Sequence, residues 1–114
     1  MVTVTMLQKN GKPVGFTSTG HAGYGEAGED IVCSAISALT QTCYLGLIRV
    51  VGLQNGKEVA VSIDETEGMT CVLAGDTRGK QLEQAELLFL TMEEGLRSIQ
   101  EAYRKSLKIR HREV

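Results

Sequence analysis

From Gln81 to Tyr103 the apolar residues Leu82, Ala85, Phe89, Met92, Leu96, Ile99 and Tyr103 recur at threes and fours without a break. That spacing places them on one side of an α-helix, and a helix striped in this way must lie against another apolar surface. In a chain of 114 residues that surface comes from one modest core. A second helix is expected from Asp30 to about Val51, with Gly52 as its left-handed stop. Its core stripe is Val32, Ile36, Leu39, Cys43, Leu47 and Val50. Ile31, Ala35, Ala38 and Leu45 form a second apolar stripe on the same helix, more than a small domain buries, and this points to a subunit interface.

Runs of period two supply the surface that the helices need. Val2-Thr3-Val4-Thr5-Met6-Leu7 alternates as a half-buried strand does. Asn10-Gly11 is a hairpin turn pair, and Pro13-Val14-Gly15-Phe16-Thr17 is the returning strand. Val59–Asp64 and Met69–Ala74 read as two further strands joined through Glu67-Gly68. The fold class is therefore α/β of the two-layer α+β kind, in the order strand-strand-helix-strand-strand-helix. An antiparallel or mixed sheet is covered by two helices, and residues 1–114 form one domain. Arg110-His111-Arg112 reads as a frayed basic tail.

Net charge is −2, which gives no case for a nucleic-acid partner. No apolar run is read as long enough to cross a bilayer, and Met1-Val2-Thr3-Val4 lacks a signal pattern, so a cytoplasmic location without a membrane partner is expected. Cys33, Cys43 and Cys71 are odd in number and irregularly spaced, which argues against a disulfide framework. His21 and His111 stand far apart and no Cys-x-x-Cys pair occurs, so no metal site or cofactor is expected.

Chemistry concentrates between residues 20 and 37. Cys43 lies on the core stripe and Cys71 alternates with Met69 and Leu73, so both read as structural. Cys33 instead heads a row of Ser37, Thr40 and Tyr44 along the polar edge of its helix. A thiol in the first turn of a helix meets unpaired N–H groups and the positive dipole end, which favour thiolate. His21 stands at the head of a loop that returns to Cys33, where an imidazole can take a thiol proton and give it to a leaving amine. Asp30 either caps the helix or orients that imidazole, and Ser37, one turn on, faces the sulfur or the substrate. The loop holds Gly20, Gly23, Gly25 and Gly28 but no Walker pattern or lysine, and Glu26, Glu29 and Asp30 would repel a phosphate. The same acids suit a basic peptide, and the glycines suit a lid. Cys33 also fits a redox-sensing thiol.

Gly20-His21-Ala22, followed by Gly28-Glu29-Asp30-Ile31-Val32-Cys33-Ser34-Ala35-Ile36-Ser37, resembles the signature of the bacterial ribosomal-processing cysteine proteases, the Prp or YsxB-like family. The opening hairpin and Phe16 fit as well, although only residues 20–37 are specific. The resemblance implies a compact α/β homodimer of thiol protease subunits. It implies His21 and Cys33 as the catalytic dyad, with Asp30 and Ser37 in support. The implied reaction removes an N-terminal extension from a large-subunit ribosomal protein precursor, cutting after paired phenylalanines, as a step in ribosome assembly. The rival reading is a non-catalytic dimeric module that binds a ribosomal protein or rRNA through the basic tail.

Overall fold

The computed structural model describes residues 1–20, 29–64 and 68–114, with the side chains of Glu29 and Asp30 outside the description. Strand β1 (Val2–Lys9) turns at Asn10-Gly11, where φ is 54° and 76°, into β2 (Lys12–Thr19). Helix α1 (Glu29–Leu45) runs on into a π-helical turn over Gly46–Val51 and stops at Gly52, whose φ is 87°. Then follow β3 (Val59–Asp64), β4 (Gly68–Leu73), α2 (Gly79–Ala102) and β5 (Leu107–Glu113). The five strands form a mixed sheet in the order β3-β4-β2-β1-β5.

Both helices pack on the sheet face that carries Val4, Met6, Phe16 and Cys71, all fully buried. The Phe89 ring of α2 meets Phe16 of β2 edge-on, with centroids 6.2 Å apart. Helix α2 covers the β2–β1–β5 side, and α1 covers β4, where Cys43 comes close to Cys71. The helices touch through glycines: a methyl group at Gly95 would come within 2.9 Å of Leu39 Cδ1, and one at Gly46 within 3.1 Å of Leu88 Cδ1. Thr3, Thr5, Thr17, Ser62 and Thr70 lie on the opposite, wetter face of the sheet.

Four sequence expectations are corrected. Arg110-His111-Arg112 are not a frayed tail but part of strand β5, which pairs in parallel with β1 from Val2↔Leu107 to Gln8↔Glu113. Its alternation is genuine: Leu107 is buried and Ile109 half-buried, while Lys108, Arg110 and Arg112 point outward. Val50 is not core but 82% exposed, because the i→i+5 winding of the π-turn shifts it off the α1 stripe. Helix α1 already includes Glu29, so Asp30 stands within the helix and is not its N-cap. Finally, Ile31–Val51 is long and apolar enough to cross a membrane by length and composition. Here Val32, Ile36, Cys43 and Leu47 of that stretch are buried against the sheet and α2.

A buried charge ties β5 to α2. Glu93 is only 6% exposed, and its Oε2 accepts bonds from Arg97 Nη2 at 2.7 Å, Arg97 Nε at 3.2 Å and His111 Nε2 at 2.8 Å. Burial alone would raise the Glu93 carboxyl, but the bonds and charges of Arg97 and His111 outweigh it and hold it below its ordinary value of 4.5. At the far end of β5, Glu113 accepts the backbone N–H groups of Asn10 and Gly11 at 3.1 and 3.0 Å, closing the hairpin turn. Because the folded carboxyl titrates lower than the unfolded one, its stabilisation is complete above the ordinary value and is lost as pH falls through the folded one. Glu93→Gln is therefore expected to destabilise the fold by about 1 kcal/mol at pH 7. Thermal unfolding against pH should show the gap to wild type closing below about pH 4, within the carboxylate range.

Candidate active site

Cys33 stands half-buried on α1, one residue past the buried Val32. Since each helical residue turns 100°, the burial of Val32 and Ile36 sets Cys33 at the margin of the stripe rather than beneath it. Its sulfur side faces a cavity of about 200 Å³ between the first half of α1 and the ends of four strands. Ser37, Thr40 and Gln41 line it from the helix, and Ile63, Asp64 and Met69 from β3 and β4. Val2, Ser18 and Gly20 close the side toward β1 and β2.

Local chain geometry shapes this end of the sheet. Gly20 has φ of 91° and Gly68 has φ of 101°. A Cβ at Gly20 would fall on the Met1 carbonyl oxygen, and one at Gly68 on the Ser18 carbonyl oxygen. Each position thus excludes a side chain on two counts, conformation and space. The Thr40 hydroxyl, buried at the cavity wall, donates to the Ile36 carbonyl at 2.9 Å and the Ser37 carbonyl at 3.2 Å. Ser37 itself is exposed beside the cavity.

Of the residues singled out in the sequence, the structure brings Gly20, Cys33 and Ser37 to one cavity. His21, Gly23, Gly25, Glu26 and Gly28 lie outside the described residues, as do the side chains of Glu29 and Asp30. Cys33 is less close to the helix end than the sequence suggested. Because Glu29 is already helical, the Cys33 N–H has the Glu29 carbonyl as its intrahelical acceptor. Sequence reasoning missed Val2, Ile63 and Met69, which come together only through the strand order. Among the described residues no cluster of His, Cys, Asp or Glu could hold a metal ion.

The family model for "Cysteine protease Prp" matches residues 1–108. The chain belongs to the cysteine protease Prp family. Its members include the ribosomal processing cysteine protease Prp of Staphylococcus aureus, 27% identical over 113 residues, which covers 98% of this chain and 100% of that protein. The fold is similar to S. aureus Prp solved with a substrate peptide, at 26% identity and a TM-score of 0.79, covering 98% of this chain and 100% of that one. It is also similar to S. aureus Prp with a covalently linked product peptide, at 28% identity, TM-score 0.75 and the same coverage. The protein SMU.848 of Streptococcus mutans shares 25% identity at a TM-score of 0.79, covering 100% of this chain and 96% of that one. Prp membership makes the chain a cysteine-type peptidase, and it places the thiol chemistry of this fold among hydrolases.

The other two thiols are poorly suited to that chemistry. Burial pushes Cys71 up to about 12, and burial together with the nearby Cys71 pushes Cys43 up to about 12. Both are neutral and sealed at working pH, as structural cysteines are. Iodoacetamide at pH 8 should therefore add one label to the folded protein, at Cys33, and three after denaturation. Intact mass and peptide mapping count the labels.

Proposed function

We propose that this chain is a cytoplasmic thiol endopeptidase that removes the N-terminal extension of a large-subunit ribosomal protein precursor. The cut follows paired phenylalanines and supports ribosome assembly. Residues 1–114 act as one cysteine-protease domain. The observation that carries this reading is Cys33 half-buried on the wall of a cavity, in a Prp-family chain. Support comes from the S. aureus relative that holds a substrate peptide in one structure and a covalently linked product in another.

In this reading Cys33 is the nucleophile and His21 takes its proton. The thiolate attacks the scissile carbonyl, and backbone N–H groups at the start of the helix that carries Cys33 stabilise the tetrahedral oxyanion. The imidazolium then gives its proton to the leaving amine, and water hydrolyses the thioester. Asp30 orients the imidazole, and Ser37 supports the sulfur or the peptide. Glu26 and Glu29, with the glycines at 20, 23, 25 and 28, form a loop that receives the basic residues beyond the cut. Neither metal nor cofactor takes part.

Two outcomes test the proposal. Cys33→Ala and His21→Ala should each abolish cleavage of a peptide whose extension ends in Phe-Phe, and Cys33→Ala should leave the thermal midpoint unchanged within a few degrees, since Cys33 is half-buried at the margin of the core. Chromatography and mass spectrometry of the products decide it. The subunit is proposed to pair with a second copy through the apolar residues left outside, Ile31 and Leu45 on α1 or Leu87 and Leu90 on α2. Sedimentation at micromolar concentration should give a dimer, and a monomer would refute the pairing.

A further inference from the structure

The two edges of the sheet are built differently. Strand β5 closes one edge with Lys108, Arg110 and Arg112 pointing outward, the charge pattern that keeps an edge from pairing with another chain. Strand β3 closes the other edge with Val-Ala-Val-Ser-Ile-Asp, which has no lysine, arginine or proline. Its register with β4 runs without a bulge from Val59↔Leu73 to Asp64↔Gly68. Its one charge is Asp64, at the last position.

The direction of its backbone groups follows from bonds at its start. The Glu58 carbonyl accepts from Ala74 N–H at 2.9 Å, so even-numbered residues here face β4. Val59 faces the other way: its N–H donates to the Gln54 carbonyl at 3.3 Å, and its carbonyl accepts from Gly56 N–H at 2.8 Å. In an antiparallel ladder this alternation continues with period two. The N–H and C=O groups of Val61 and Ile63 therefore point away from β4, and among the described residues no backbone group meets them. The loop at residues 54–56 covers the edge only at Val59. The open stretch lies at the end where the Ile63 side chain, 62% exposed, lines the cavity that holds Cys33.

On the protease reading above, we propose that the peptide substrate binds as an added strand on β3. Its backbone exchanges hydrogen bonds with Val61 and Ile63, and it sets one apolar side chain into the cavity beside Cys33. Strand addition gives affinity through main-chain bonds and specificity through pockets for alternate side chains. The faces agree. Val59 is buried, Val61 half-buried and Ile63 on the cavity, so a side chain pointing the same way from an added strand meets Ile63 and the Ser37–Gln41 side of α1. An apolar cavity of about 150 Å³ holds a benzene ring, so the cavity of about 200 Å³ here has room for one phenylalanine side chain. Adjacent residues of a strand point to opposite faces. Of two consecutive phenylalanines, one fills the cavity and the other lies on the Ser62 face of the sheet. The two are recognised unequally.

Proline tests the backbone part. It is tolerated in an edge strand where the lost N–H faces outward, so Ile63→Pro removes a docking donor and leaves the β4 ladder whole. Ile63→Ala removes the same side chain and keeps the donor. Steady-state cleavage of the Phe-Phe peptide should show kcat/KM about tenfold lower in Ile63→Pro than in Ile63→Ala, the effect of one unmet hydrogen bond. Cys33 should react with iodoacetamide at the same rate in both. Should Ile63→Pro fail to fold, peptides N-methylated at successive residues give the same answer with wild-type enzyme. Sensitivity should alternate along the peptide, and one phenylalanine-to-alanine change should cost at least tenfold more than the other. Equal kcat/KM in the proline and alanine variants, or no alternation, overturns strand addition while cleavage by wild type keeps the protease reading. A wild type that leaves the peptide intact overturns both. If proline changes sedimentation and not cleavage, a second copy occupies the edge and the inference fails.

Discussion

The site depends on the fact that α1 cannot rotate about its own axis. Val32, Ile36, Cys43 and Leu47 all face the core, and each fully buried aliphatic side chain contributes roughly 1.5–3 kcal/mol. A turn of one residue about the axis would expose them together, at a cost comparable with the whole stability of a small domain. Glycines at positions 46 and 95 let Leu88 and Leu39 approach closely, so α2 holds α1 from the side as the sheet holds it from below. With the helix fixed in this way, Cys33 is set at the edge of the buried stripe, facing the cavity. The thiol is half-buried and open to the cavity.

The rest of the sheet serves the same end by contrast. Strand β5 is tied down by a carboxylate with three donated bonds, by Glu113 over the Asn10-Gly11 turn, and by its ladder with β1. Its outward lysine and arginines guard that edge. The cavity end of β3 has no such guard, and the Cys33 cavity opens beside it. A cavity of mixed polar and apolar lining, a thiol and a row of outward backbone groups meet at one corner of the fold, an arrangement that suits an extended peptide.

Much of this was legible in the residues because their periods are strong. The Asn10-Gly11 turn, strands β3 and β4, the α2 stripe from Ala85 to Leu96 and the left-handed stop at Gly52 all follow local rules, and the structure has them. Cys43 and Cys71 read as structural, and both are buried. Strand β5 was not legible because four of its seven residues carry charge (Lys108, Arg110, Arg112 and Glu113), and only a parallel partner distant in sequence explains it. Val50 was misplaced because a π-turn changes the period that the stripe assumes. Ile63 and Met69 could not be assigned to the Cys33 cavity, since strand order is a property of the whole sheet. His21 and Asp30 belong to no period, so the sequence offers them only as parts of a motif, and the His21 residue and the Asp30 side chain lie outside the described residues.

The central claim is that Cys33 forms a covalent bond to the peptide it cuts, and rapid acid quench followed by mass spectrometry tests it most directly. Mixed with a peptide whose extension ends in Phe-Phe, the enzyme should pass through a species heavier by the N-terminal fragment, with the added mass mapping to Cys33 and decaying as product forms. Product released with no adduct at any time, or an adduct on Cys43, Cys71 or another residue, would contradict the account.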